Sequence, residues 1–329
     1  MRIRYKLIAA CCLSAFGSTV VHAAQVDPAA NYPTKPVRFI CPFAPGAGTD
    51  LTARTIAQKL GEKFGQQFVV DNRTGAGGAI GVDTVAKAVP DGYTIGLISA
   101  SNSVGAATNP NLPYEMQKDL QGISQATSLF YVMYTNPSQP FKTTKELVAY
   151  AKANPGKLNF GTSGAYTLQH FSGELLNFMA GTRIVHVPYK GTAAVIPAML
   201  SGEVQLGFGS LIGTRPQIQA GKLRGIAITA LKRSPSVDLP TIAESGLPGY
   251  EVDQWYGVIT SSKVPQALVR KLNAAIVEAL KVPDVAQRLA HDGSIPVGSS
   301  PEQFNTHIRS EIAKWKKLVK EAKLPLQTS

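Results

Sequence analysis

Short β-rich runs alternate with stretches of helical hydrophobic spacing along most of the chain. Residues 37–41 (Val-Arg-Phe-Ile-Cys) hold no turn former and predict a buried strand. Leu51, Ile56, Ala57, Leu60 and Phe64 recur near helical spacing and predict an amphipathic helix over 51–64. The loop between them, 42–50, is made of Pro, Gly and small residues, with Thr49 or Asp50 placed to cap the helix. The unit then repeats: 67–71 predicts a strand, 72–79 a Gly-rich loop, and a helix runs to Ala88. Residues 94–99 predict a third strand that opens onto Ala100-Ser101-Asn102-Ser103. Such alternation is the sign of a parallel sheet, whose ligands sit beyond the carboxyl ends of the strands. Three polar loops, 42–50, 72–79 and 99–103, fall at that edge. They bring free backbone N–H groups and the positive ends of helices together, which favours an anion.

Residues 125–135 form a long β-rich run that leaves this first lobe. A helix is predicted over 144–153, capped near Thr143, then a strand over 157–160. That strand delivers the small-residue loop 161–167, which opens a helix carrying His170, Leu175, Leu176 and Phe178. The strand–loop–helix motif of the first lobe therefore recurs. A strand at 184–187 leads through Pro188-Tyr189-Lys190-Gly191-Thr192 into a helix ending at Leu200, and 205–208 and 226–230 are further strands. Residues 250–260 suit a return crossing, and helices at 265–280, 283–289 and 301–322 complete the first lobe. The expectation is an α/β chain of two lobes: 32–133 with 254–329, and 134–253, joined by crossings near 129–136 and 253–259. Helix N-termini facing a cleft from both sides make a clamp for an anionic small molecule.

The N-terminus stands outside this pattern. Arg2, Arg4 and Lys6 precede an apolar run from Leu7 to Val21, and Val21-His22-Ala23 supplies small residues for cleavage. Residues 1–24 are expected to be a secretory signal peptide cut after Ala23 or Ala24, too short to span a bilayer. Its removal takes Cys11 and Cys12, so Cys41 alone remains and no internal disulfide is expected. The ~305 residues left suit two lobes rather than one core. The formal charge of +12 falls by the three of Arg2, Arg4 and Lys6. With a charged fraction of 16% and scattered Lys and Arg, nucleic-acid binding is not expected. The lysines of 314–323 share their segment with Ile312, Trp315, Leu318 and Val319, the pattern of a solvated helix face. A bias towards anionic solutes is the better reading.

The chemistry that is missing is as informative. Gly46-Ala47-Gly48 follows a strand and Asp71 ends the next, as in a dinucleotide site, but Leu51 stands at the third glycine position and Pro42 and Pro45 distort the turn. Gly161-Thr162-Ser163-Gly164-Ala165 approaches a nucleophile elbow but lacks its last glycine. His170 lies seven residues beyond Ser163 on the same predicted helix, pointing away from a productive contact. No His, Cys or Asp cluster has metal-ligand spacing, and no cofactor is expected. His186 reads as a structural histidine at a strand end; Lys190 either charges a carboxylate site or faces water, and Arg73 and Arg215 raise the same question.

Several motifs stand in one order: Tyr32-Pro33-Thr34-Lys35-Pro36-Val37-Arg38, the loop 42–50, Asp71-Asn72-Arg73-Thr74-Gly75-Ala76-Gly77-Gly78 and His186-Val187-Pro188-Tyr189-Lys190-Gly191. Pro240-Thr241-Ile242-Ala243-Glu244-Ser245-Gly246, Trp255-Tyr256-Gly257 and Ser300-Pro301-Glu302-Gln303-Phe304 follow. Over essentially the whole mature chain the sequence resembles the Bug, or TctC-type, periplasmic receptors of tripartite tricarboxylate transport systems. The resemblance implies a two-lobed, type II-like periplasmic binding-protein fold that closes on a carboxylate. It also implies delivery to a membrane permease, with no chemistry on the solute, in a monomer located in the periplasm. Carried onto this chain, the ligand residues are Phe43, Ala44, Gly48, Thr49 and Asp50 in the first loop, then Ser99 and Ser101. Thr162, Ser163, Gly164, Thr167 and His170 follow, with Lys190, Gly191 and Ser210. Where many relatives carry an acid after the strand 205–208, this chain has Gly209-Ser210, which points to an organic acid without an amino group. Two rival readings remain: a secreted hydrolase using Ser163 and His170, and a ligand-sensing partner of a membrane kinase.

Overall fold

The computed structural model describes residues 29–46, 48–189, 192–290 and 293–327. The expected signal peptide and its cleavage site lie outside the described residues, as do Lys190 and Gly191.

The first half is built on β1 (Val37–Cys41), with β2 (Phe68–Asn72) on one side and β3 (Thr94–Ser99) on the other, all parallel. Flanked on both edges, β1 buries Val37, Phe39, Ile40 and Cys41, which is why it reads as an almost continuous apolar run. Helix α1 (Gly48–Phe64) covers one face through Ala53, Ile56, Ala57 and Leu60. A 3₁₀ turn at Ala76–Gly78 precedes α2 (Ala79–Ala86), and α3 (Ala100–Thr108) starts directly at the end of β3. A short helix, α4 (Met116–Asp119), leads into β4 (Leu120–Thr135).

Strand β4 serves both halves. Its first part, to Phe130, pairs antiparallel with β9 (Asp253–Ser261), which in turn pairs antiparallel with β3. From Tyr131 onward it pairs instead with β7 (Leu206–Ser210) and, from Val132, with β8 (Arg224–Ile228). The second half contains α5 (Thr144–Ala153), β5 (Asn159–Thr162), α6 (Leu168–Ala180), β6 (Val185–Pro188), α7 (Thr192–Ser201) and α8 (Leu211–Gln219) around those strands. The strand order β2-β1-β3-β9-β4-β7-β5-β6 is thus parallel at both ends and antiparallel where the long strands cross. Thr229, fully buried between the crossings, donates its backbone N–H to Tyr131 O and its hydroxyl to Val252 O, and receives the Tyr131 N–H.

Helices α9 (Gln266–Leu280) and α10 (Pro283–Ala290) return to the first half, followed by the two-residue strand β10 (Ile295–Pro296) and α11 (Pro301–Glu321). Ser300 caps α11, with Gln303 completing a reciprocal box. Phe304 on α11 lies against Gly257 and Gly122, where any added Cβ would fall within 2.6 Å of its ring, and meets Trp255 edge-on at 5.4 Å. Trp315, also on α11, meets Phe171 of α6 edge-on at 5.6 Å, so the last helix touches the second half as well.

Two expectations are corrected. Helix α1 begins at Gly48, so Thr49 and Asp50 lie inside its first turn instead of capping it. The expected loop at 99–103 is a helix after its first residue, because the Ser99 N–H is taken by Asn102 Oδ1 at 2.9 Å and the chain turns at once. Helices α4 and α8 and strand β10 went unpredicted, being short or weakly patterned.

Candidate functional site

The N-termini of α2, α3 and α6 open onto one cavity of about 370 Å³ between the two halves. From the first half it is lined by Phe43, Ala76, Gly77, Ala79, Ser101 and Asn102, and deeper in by Gly105, Asn109, Leu112 and Tyr114. From the second come Tyr131, Ser163, Ala165, Tyr166 and Thr167, and the chain's tail adds Gln327. None of these is Lys, Arg, Asp or Glu. What attracts an anion is therefore the set of free N–H groups and dipoles at three helix starts, with hydroxyl and amide groups beside them.

Asn102 organises this end. It is only 2% exposed, and its Oδ1 accepts the Ser99 N–H, which fixes the amide so that Nδ2 is the remaining donor. Nδ2 has no hydrogen-bond partner among the described residues and lies against Gly78 at the start of α2, where an added Cβ would fall 2.9 Å from it. Gly78 has φ +94°, so glycine is needed there twice over.

Of the residues expected from the sequence, Phe43, Ser101, Ser163 and Thr167 line the cavity. Thr167 caps α6, accepting from His170 N at 3.3 Å and donating to Gly164 O at 2.8 Å. The Ser163 N–H is taken by Gln169 Oε1 at 2.8 Å, leaving the hydroxyl to the cavity. The others are not among the lining residues. Ser99, Thr162 and Thr49 are buried beneath the loops, Ala44 is exposed beside them, Gly48 is the first residue of α1, and Gly164, at φ +150°, shapes the loop after β5. Ser210 ends β7 immediately before α8, opposite Tyr131 in the β4–β7 register.

Asp50 is a brace for the first loop. Its carboxylate accepts from Gly46 N, Arg54 Nε and Asn72 Nδ2, each at 2.9 Å. Burial pushes its pKa up, but those bonds together outweigh it and hold the carboxyl below its usual range. Asn72 Nδ2 also donates to Phe43 O, which ties β2 to the same loop.

His170 and His186 form a stacked pair, ring centroids 3.8 Å apart, behind the loop after β5. Burial, and then the neighbouring His170, push the His186 pKa down to about 3, so its ring is neutral. Its Nε2 lies 2.7 Å from Thr162 Oγ1. His170 Nδ1 accepts the Tyr166 N–H at 3.1 Å and its Nε2 is 3.5 Å from Glu174 Oε1. Both ring nitrogens are engaged elsewhere, so no Ser163–His170 pair is assembled. Among the described residues no group of three His, Cys, Asp or Glu side chains could hold a metal ion. No helix among them is long and apolar enough to cross a membrane.

Asn102, Tyr114, Tyr131, Asn109 and Gln327 were not expected in the site. The Ser99-x-x-Asn102 spacing carries a capping signal that could have found the first; nothing local links the tail to the cleft.

Comparison with known proteins places these features in context. The model of the tripartite tricarboxylate transporter family receptor, TctC, matches residues 52–324. The chain is similar to protein BugT of Bordetella pertussis, 35% identical over 311 residues that cover 93% of this chain and 94% of BugT. Among solved structures it is similar to the periplasmic binding protein BugD, with 33% identity and a TM-score of 0.78 over 90% of this chain and 100% of that one. An R. palustris protein solved with adipate is 34% identical, with a TM-score of 0.80 over 89% of this chain and 98% of that one. MatC of Rhodopseudomonas palustris, solved with bound malate, is 30% identical, with a TM-score of 0.77 over 88% of this chain and 100% of that one. The two-lobed fold expected from the sequence is the fold of these neighbours.

Proposed function

Because the chain belongs to the TctC family of tripartite tricarboxylate transporter receptors, we propose that it is a periplasmic receptor that holds an organic acid in the cleft between its halves and hands it to a membrane permease. The carrying observation is the convergence of three helix N-termini, from both halves, on a cavity with no ionised lining residue. A carboxylate there is met by backbone N–H groups, the Asn102 amide and the Ser101 and Ser163 hydroxyls. No cation has to be desolvated to receive it. Relatives of the same fold hold adipate and malate, which supports a carboxylate as the ligand here. With no acidic residue lining the cavity, an ammonium group would lack a counter-charge, so the acid carries no amino group.

The residues 1–24 would direct export and be removed, and the released receptor would act as a monomer without cofactor. Capture from both halves couples binding to closure about the crossings at β4 and β9, and the closed form is what a permease would recognise. The protein performs no reaction on its cargo; the engaged ring of His170 supports that reading against a hydrolase.

A thermal-shift screen of the mature protein against organic acids tests this. A ligand bound only by the folded form at a hundred times its Kd stabilises by about 2.7 kcal/mol and should raise the melting temperature by several degrees. The Ser163→Ala variant should still bind, and no turnover of the solute should be seen with either form. Shifts with amines or neutral sugars but none with carboxylates would overturn the proposal.

A further inference from the structure

We infer that the solute is an elongated monocarboxylate with an aromatic body and a neutral hydroxyl or amide at its far end, a reading that rests on the receptor function proposed above. Ser101 and Gly105 on α3, and Asn109 just past its end, stand at i, i+4 and i+8, and all three line the cavity. The cavity therefore runs along one face of the helix for about 12 Å, eight residues at the helical rise. Its two ends differ electrically. At the start of α3, the Asn102 Nδ2 and the N-termini of α2 and α6 receive a negative group.

The far end lies at the last turn of α3, the negative end of the same helix. Asn109 and Gln327 are the polar side chains there, and the Gln327 N–H donates to Thr108 O at 2.9 Å. Neither carries a charge, and Asn109 Oδ1 is taken by the Asn111 N–H at 2.8 Å, so a second carboxylate would meet only neutral amides at the unfavourable end of the helix dipole, with no cation to offset it. Lys316 and Glu115 are exposed and border a separate surface depression behind the Asn109–Leu112–Tyr114 wall. A hydroxyl or amide satisfies amide and carbonyl partners without that conflict.

Phe43, Tyr114, Tyr131 and Tyr166 supply aromatic rings to the lining. Gly105 supplies the floor: a Cβ added there meets nothing within 4 Å, so a larger side chain would occupy the room the ligand needs. A flat ring suits this floor and these walls, since aromatic pairs prefer stacked or edge-on contact.

Calorimetry with the mature protein tests the inference using para-hydroxyphenylpropanoate, its para-carboxyphenyl counterpart, adipate and malate. The hydroxy acid should bind at least about tenfold more tightly than the matched diacid and than either short diacid. The Gly105→Leu variant should lose at least about tenfold for the hydroxy acid, and Gly105→Ala should melt no lower than the parent. Equal or tighter binding of the matched diacid, or a Gly105→Leu variant that binds the hydroxy acid undiminished, would overturn the inference. Binding confined to adipate and malate defeats it while leaving the receptor function standing; silence from all four acids defeats the inference, and the receptor function with it only if the wider thermal-shift screen finds no carboxylate ligand either.

Discussion

A single methyl group separates Gly78 from a different site. Alanine there would place its Cβ 2.9 Å from Asn102 Nδ2 and 3.3 Å from the Phe43 ring, at a φ of +94° that L residues resist. Gly78→Ala should lower unfolding free energy by about 1–3 kcal/mol in urea titrations and weaken carboxylate binding, because the amide that must yield is part of the site. His186 gives a second residue-scale expectation. Its folded pKa, about 3, lies below the ordinary 6.5, so between those values the unfolded chain binds a proton that the folded one refuses. Stability is complete above that window and falls as the pH drops through it, by at most about 1.4 kcal/mol per unit for one proton. Urea midpoints from pH 7 to 4 should show a shallower slope in His186→Gln. At this scale the sequence named the right neighbourhoods but misjudged roles. Asp50 looked like a cap or a ligand contact, because its partner Asn72 lies 22 positions away and no local pattern joins them.

Helix α3 carries more of the site than any other element and was the least visible in the chain. Among its nine residues Val104 is the only large apolar side chain, so its burial against the core leaves no readable periodicity. Its start is set by a reciprocal pair, Ser99 N–H to Asn102 Oδ1 and Asn102 N–H to the Ser99 hydroxyl, and the same Asn102 side chain supplies the cavity donor. The two duties can be separated. Asn102→Asp keeps an oxygen for the Ser99 N–H and places a negative charge at a helix start, where it is stabilising. It also replaces the Nδ2 donor with an acceptor facing the ligand's own carboxylate. The expected result is a melting temperature unchanged or raised in the empty protein, with affinity for carboxylates down at least about tenfold. A variant that kept its affinity would remove Asn102 from the site. By contrast, β1, β3 and α5 were legible almost to the residue, since each combines a clear apolar period with an unambiguous turn or cap.

At the scale of the whole molecule, Leu326 and Gln327 join the halves that the ligand must also join. After α11 the tail passes the cleft, where Leu326 O accepts from Tyr166 Oη of the second half at 3.1 Å and the Gln327 N–H donates to Thr108 O of the first at 2.9 Å. Trp315 against Phe171 adds an apolar bridge from within α11. Dividing the chain by its crossing strands could not reveal this, because the tail belongs to one half by sequence and touches both in space. Two hydrogen bonds contribute little to global stability, but they hold the tail against both halves beside the cavity, which Gln327 itself lines. Truncation after Lys323 should therefore leave the urea midpoint of the empty protein nearly unchanged. Stopped-flow release of a bound acid should accelerate several-fold, with the association rate altered less, since contacts that form on closure act mainly on dissociation. If release instead kept its parental rate while stability fell, the tail would be a prop for α11 and closure would depend on the crossings alone.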